Sequence, residues 1–127
     1  MARNIDKSTS AQIRHENIAR HNALVGEILL AINPKYGVFW KNETGAAYTN
    51  GRMIRYGLVG SADILGCMQS KFVAIEVKTG SGKLSDFQKN FKAVIEKNGG
   101  IFIEGRSVEQ VVTELGLIFS HKKSKKN

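Results

Sequence analysis

The sequence predicts an α/β domain: a small mixed sheet with helices on both faces. Three observations carry this. Phe72-Val73-Ala74-Ile75-Glu76-Val77-Lys78 is a strand with apolar residues on both faces, as in the centre of an α/β sheet. A helical stripe follows it, and then a second apolar strand, Ile101-Phe102-Ile103-Glu104. A strand-helix-strand segment of this kind makes a right-handed crossover. The full order is helix, a meander of strands, helix, strand, helix.

Composition sets the limits. At 127 residues the chain is large enough for one core and too small for two. No apolar run approaches the ~20 residues that span a bilayer, so no membrane partner is expected. Met1-Ala2-Arg3-Asn4 leads into polar residues, and no signal peptide is expected. A single cysteine, Cys67, excludes an internal disulfide and a cysteine-based zinc site, and fits a reducing cytoplasm. The net charge of +8 points to nucleic acid before an acidic membrane or an acidic protein.

Along the chain, residues 1–14 lack periodicity and read as a loose arm. From about His15 to Ile32 a helix is expected, with Ile18, Leu24, Val25, Ile28, Leu29 and Ile32 as its apolar stripe. Pro34 ends it. Glu27 lies beside this stripe, and on spacing alone it reads as a solvated helix glutamate. Tyr36 to Lys41 is aromatic and β-rich, the first strand. Asn42 to Gly51 reads as a loop with turn chemistry at Asn50-Gly51. Arg52 and Arg55, interleaved with Tyr48 and Tyr56, suit phosphate contact and base stacking.

Gly60-Ser61-Ala62-Asp63-Ile64 opens a pair of strands that turns through Leu65 to Lys71 and returns along Phe72 to Lys78. Glu76 and Lys78 share a face, roughly 7 Å apart along the strand. A hairpin that carries Asp63 back beside Glu76 unites two carboxylates and an ammonium. Such a pair suits Mg²⁺ or Mn²⁺, and the lysine can steady an attacking water or offset charge. The plainer reading is a turn aspartate and a strand-face salt bridge. A buried glutamate and lysine are costly without a partner, however, which favours a site.

Thr79-Gly80-Ser81-Gly82-Lys83 fails as a Walker loop, because Val77 stands where glycine is needed and Leu84 where serine or threonine is. Ser85 and Gln88 form a capping box for a helix with Phe87, Phe91, Val94 and Ile95 inward, ended by Asn98-Gly99-Gly100. Lys83, Lys89, Lys92 and Lys97 make this region basic. Ser107 to Gln110 is a second capping box. It opens a helix with Val108, Val111, Val112 and Leu115 inward and Gly116 at its end. Residues 119–127, with Lys122 and Lys123, read as a basic disordered tail that strengthens nucleic-acid binding.

D-x12-E-x-K, formed by Asp63, Glu76 and Lys78, resembles the core of the PD-(D/E)xK nuclease superfamily. Asn42-Glu43-Thr44-Gly45, Gly60-Ser61-Ala62-Asp63, Glu76-Val77-Lys78-Thr79-Gly80, Leu84-Ser85-x-x-Gln88 and Gly99-Gly100 narrow this. Together they are similar to the virus-type replication-repair nuclease (VRR-NUC) family, and to its short stand-alone phage members. The resemblance runs from about Glu27 to about Leu115. Ala62 stands where the superfamily pattern has proline, a position that shapes the turn and supplies no ligand. The resemblance implies a restriction-endonuclease-like core over residues 15–118. It implies a bacterial, phage-encoded nuclease with Mg²⁺ or Mn²⁺ held by Asp63, Glu76 and the Val77 carbonyl. Lys78 would act on the water, Glu27 would hold a second ion or a water of the first, and Gln88 would lie near the site. The implied substrate is branched DNA, such as a four-way junction, cut by a homodimer. Flaps, nicks or linear duplex are alternative substrates, and a non-catalytic DNA-binding module is the competing class.

Overall fold

The computed structural model describes the backbone of residues 2–125 and the side chains of residues 9–120. Met1, Lys126 and Asn127 lie outside the described residues, as do the side chains of Lys122 and Lys123. The elements are α1 (Ala2–Ile32), β1 (Val38–Lys41), β2 (Gly45–Thr49), β3 (Arg52–Tyr56), β4 (Ile64–Met68), β5 (Lys71–Val77), α2 (Asp86–Lys97), β6 (Ile101–Gly105) and α3 (Val108–Lys125).

The main sheet has the order β1-β4-β5-β6. β1, β4 and β5 form an antiparallel meander, and β6 pairs parallel with β5 after the α2 crossover. The sheet is therefore mixed, as expected. Alternation along β6 assigns the faces: Ile103 turns to the core shared with α1 and α3, and Phe102 turns to Phe91 of α2. The core cluster joins Val25, Ile28 and Ile32 of α1, Val73, Ile75 and Val77 of β5, and Val111 and Leu115 of α3. Asn33 fastens the end of α1 to β1 through a reciprocal pair of bonds with the backbone of Phe39, at 2.9 and 2.8 Å. Among the described residues no helix is long and apolar enough to cross a membrane.

Four expectations change. Residues 2–14, read as a loose arm, continue α1, because no glycine or proline interrupts the chain before Gly26. Ile18 is exposed, and the apolar stripe joins the core only from Leu24 onward. The segment read as a loop from Asn42 is in part a second, two-stranded sheet, β2–β3. Its Asn50-Gly51 turn has φ of 52° and 73°, the left-handed pair of a tight hairpin. Gly45-Ala46-Ala47 hid the first strand, since glycine and alanine are poor strand formers. Finally, α3 continues past Gly116 to Lys125. Ile118 and Phe119 pack on the core, and Phe119 meets Tyr36 edge to face, so packing carries the helix past the glycine.

Candidate active site

Asp63 stands one residue before Ile64, whose ladder partner is Ile75, so the antiparallel register sets Asp63 opposite Glu76. The connection needs no glycine: Gln69 and Ser70 turn the chain at φ of 50° and 68°. Asp63 Oδ2 accepts the Val77 N–H at 2.8 Å. Asn42 holds the preceding chain in place. Its N–H donates to the Asp63 carbonyl at 2.7 Å, and its side chain donates to Ser61 Oγ and the Ala62 carbonyl at 2.7 and 2.9 Å. That is the structural content of the Asn-x-Thr-Gly motif here.

Glu76 is the one charged or polar side chain buried among the described residues, at 4% exposure. Burial first, then the negative charge of Asp63 and a hydrogen bond with it, raise its carboxyl from 4.5 to about 7, against the pull of the Lys78 ammonium. Lys78 Nζ lies 3.4 Å from Glu76 Oε2. The Lys78 backbone N–H donates to the Gly105 carbonyl at 2.9 Å, which fixes the lysine where β5 leaves the sheet.

Gln88 serves two roles at once, because an amide has two ends. Its Oε1 accepts the Ser85 N–H at 2.9 Å, and its backbone N–H donates to Ser85 Oγ at 3.2 Å, completing the capping box. Its Nε2 donates to Glu76 Oε2 at 2.8 Å. The second capping box is only half formed: the Gln110 N–H donates to Ser107 Oγ, but Gln110 Oε1 accepts from the Arg106 N–H.

From α1, His21 reaches this site, not Glu27. His21 Nε2 lies 3.1 Å from the Val77 carbonyl and 3.3 Å from Asp63 Oδ2. Both partners only accept when the carboxylate is ionised, so Nε2 carries the proton. Glu27 is exposed and makes no hydrogen bond or ion pair with Asp63, Glu76 or Lys78. Its position is six residues beyond His21, well over a turn along α1 and rotated away from the site. His21 lies within the helix expected from about His15, and its spacing of four from Val25 on the buried stripe was the available signal. Arg106 was also missed. Its guanidinium holds Glu104 at 2.8 Å and the Gly80 and Gly82 carbonyls at 3.2 and 2.6 Å, which ties down the loop between β5 and α2.

Lys83 and Lys89 are exposed beside the start of α2, and Arg52 and Arg55 are exposed on β3. Among the described residues no group of three or more His, Cys, Asp or Glu is placed to hold a metal ion. Asp63, Glu76 and the Val77 carbonyl are a smaller oxygen set. Mg²⁺ accepts such a set, since it commonly keeps several waters and takes only one or two carboxylates. The raised Glu76 carboxyl fits as well, because burial and Asp63 outweigh the Lys78 ammonium and a further cation would relieve the repulsion of the two carboxylates. No protein-family model matches the chain, and a search of curated proteins finds no match.

Proposed function

We propose that this chain is a metal-dependent DNA endonuclease of the VRR-NUC type, with a restriction-endonuclease-like core. The observation that carries the reading is the buried carboxyl of Glu76 set against Asp63 across β4 and β5, with Lys78 at its rim. A structural ion pair needs no second carboxylate raising the first.

In this reading Asp63, Glu76 and the Val77 carbonyl hold Mg²⁺ or Mn²⁺, which supplies positive charge against the charge that builds on the phosphoryl oxygens. Gln88 fixes one oxygen of Glu76, and the Val77 N–H and His21 fix one oxygen of Asp63. Lys78, 18% exposed, is open enough to hydrogen-bond and orient a water that attacks phosphorus. Lys83 and Lys89 flank the site, where they can take phosphates. His21, in place of Glu27, is the α1 side chain at the site, and it orients Asp63 without holding an ion.

Branched DNA is the proposed substrate. A four-way junction has two-fold symmetry, so paired nicks call for two copies of the chain related by the same symmetry. The test is cleavage of a labelled four-way junction beside a linear duplex of the same arms, with Mg²⁺, Mn²⁺ or EDTA. Wild type and Asp63→Ala are compared. Symmetric, metal-dependent cuts confined to the junction and lost in Asp63→Ala are expected. Cuts in flaps or duplex keep the metal site and discard the junction. Binding by both proteins without cutting under any metal leaves a non-catalytic DNA-binding module.

His21→Ala is expected to slow metal-dependent cleavage by about 10- to 100-fold, as for loss of a residue that orients a metal ligand. Its helix content by circular dichroism should be unchanged. Wild-type rates in this variant would show that the imidazole does not position Asp63.

A further inference from the structure

The β2–β3 ribbon is unlike the rest of the molecule. All ten of its strand residues are exposed, and neither strand pairs with the main sheet. An isolated two-stranded ribbon is marginal in water, so a ribbon kept in this form implies something that it docks against. Its register divides the side chains evenly. Ala47–Ile54, Thr49–Arg52 and Tyr56 share one face, and Ala46–Arg55 and Tyr48–Met53 share the other. Each face thus carries one arginine, one tyrosine and one large apolar side chain. The Tyr56 ring lies across Gly45, where no side chain stands.

Charge identifies the partner. From Thr44 to Ala62 there is no acidic residue, in a chain of net charge +8. Arginine and tyrosine on both faces suit an object that surrounds the ribbon with phosphates on either side. A groove does this and a flat surface does not. Strands about 4.8 Å apart fit the major groove of B-form DNA, about 12 Å wide, which admits a two-stranded ribbon. The major groove of duplex RNA is too narrow and deep for it.

The ribbon is also joined to the site. It leaves the main sheet after β1 and returns at Asp63, and Asn42 bonds its two stems together there through Ser61, Ala62 and Asp63. Gly60, at φ of 83°, packs against Phe87 beside Gln88; a Cβ there would fall 2.8 Å from the Phe87 carbonyl oxygen. A ribbon seated in DNA would therefore set the backbone against Asp63 and Glu76.

We propose that β2–β3 is a DNA-gripping ribbon that enters the major groove of duplex DNA, with Arg52 and Arg55 on the phosphates of its two walls. This inference rests on the DNA substrate of the preceding reading and adds the element that grips it. The probe is a fluorescent duplex DNA in EDTA, titrated by anisotropy over a range of salt, beside a duplex RNA of the same sequence. Arg52→Ala/Arg55→Ala is expected to weaken DNA binding about tenfold or more. It should also reduce the slope of log affinity against log salt by about 2, one for each lost phosphate contact. Arg52→Lys/Arg55→Lys should restore most of the slope, and RNA should bind more weakly than DNA. Wild-type affinity and slope in the alanine variant, with its fold intact by circular dichroism, would overturn the proposal. So would a change from dimer to monomer in sedimentation with DNA affinity unchanged, which would assign the ribbon to a second copy. The two readings fail separately. Ribbon-dependent binding without cleavage by the wild type removes the nuclease alone, and cleavage with normal binding by the alanine variant removes the ribbon alone.

Discussion

Glu76→Gln is expected to make the metal-free protein more stable above pH 7, by about 3 kcal/mol, while abolishing metal-dependent cleavage. Burial first, and then Asp63, hold the Glu76 carboxyl up near 7. Below 4.5 the group is protonated whether the chain is folded or not, and it imposes no cost. As pH rises from 4.5 to about 7 the unfolded chain releases this proton and the folded chain keeps it. Stability falls through that window and then levels off, because the folded protein must hold a buried carboxylate. A rise from 4.5 to about 7, at about 1.4 kcal/mol per pH unit, gives the figure. Glutamine does not ionise, so the variant should lack this decline. It can still accept from Gln88, so the packing is preserved. Urea denaturation of both proteins in EDTA, from pH 4.5 to 8.5, checks this. Parallel curves would show that Glu76 is ionised without cost. Added Mg²⁺ should stabilise the wild type at pH 8 by mass action and leave the variant unchanged.

Gly66→Ala is expected to cost about 3 kcal/mol or more, enough to unfold a small domain or detach β1. Gly66 pairs with Phe39 in the β1–β4 ladder. A Cβ there would stand 2.5 Å from the Val38 carbonyl oxygen, as well as against the ring of Phe39. The carbonyl is backbone and cannot turn aside, and Phe39 is buried in the core, so the strand itself must move. Asn42 lies one residue beyond β1 and holds Asp63, so the shift should reach the site. Gly26→Ala is the control. It lies inside α1 with nothing within 4 Å of the added methyl, and should gain about 0.5–1 kcal/mol from helix propensity alone. Thermal unfolding of the two variants beside the wild type tests both. Equal midpoints for Gly66→Ala and wild type would mean that β1 yields at no cost.

Much of the site was readable because its parts are local. Period-two alternation set Glu76 and Lys78 on one face, and a short turn set Asp63 beside them. Ser85 and Gln88 are three residues apart and cap a helix by their own chemistry. Asn50-Gly51 marked its turn, although the weak strand formers before it concealed the strand. The stripe residue Val25 put His21, four positions before it, on the sheet side of α1, but 42 residues separate it from Asp63 and spacing along α1 does not say which sheet residue it meets. Spacing read Glu27 as solvated, which its exposure matches, and only the resemblance drew it to the site; Ile18 was misplaced on the stripe. The apolar stripe of α2 also promised more cover than it has: Phe87 and Val94 are 65% and 56% exposed.

The sequence alone determined the mixed α/β sheet, its parallel crossover, and the meeting of Asp63 with Glu76. Each of these follows from periodicity, chirality and turn chemistry over a few residues. Only the tertiary structure decided that α1 delivers His21, that Gln88 spans the cap and Glu76, that β2–β3 stands apart, and that α3 runs past Gly116. Those outcomes depend on which distant surfaces pack, and packing carries a helix past a glycine or turns one side chain of a helix into a site.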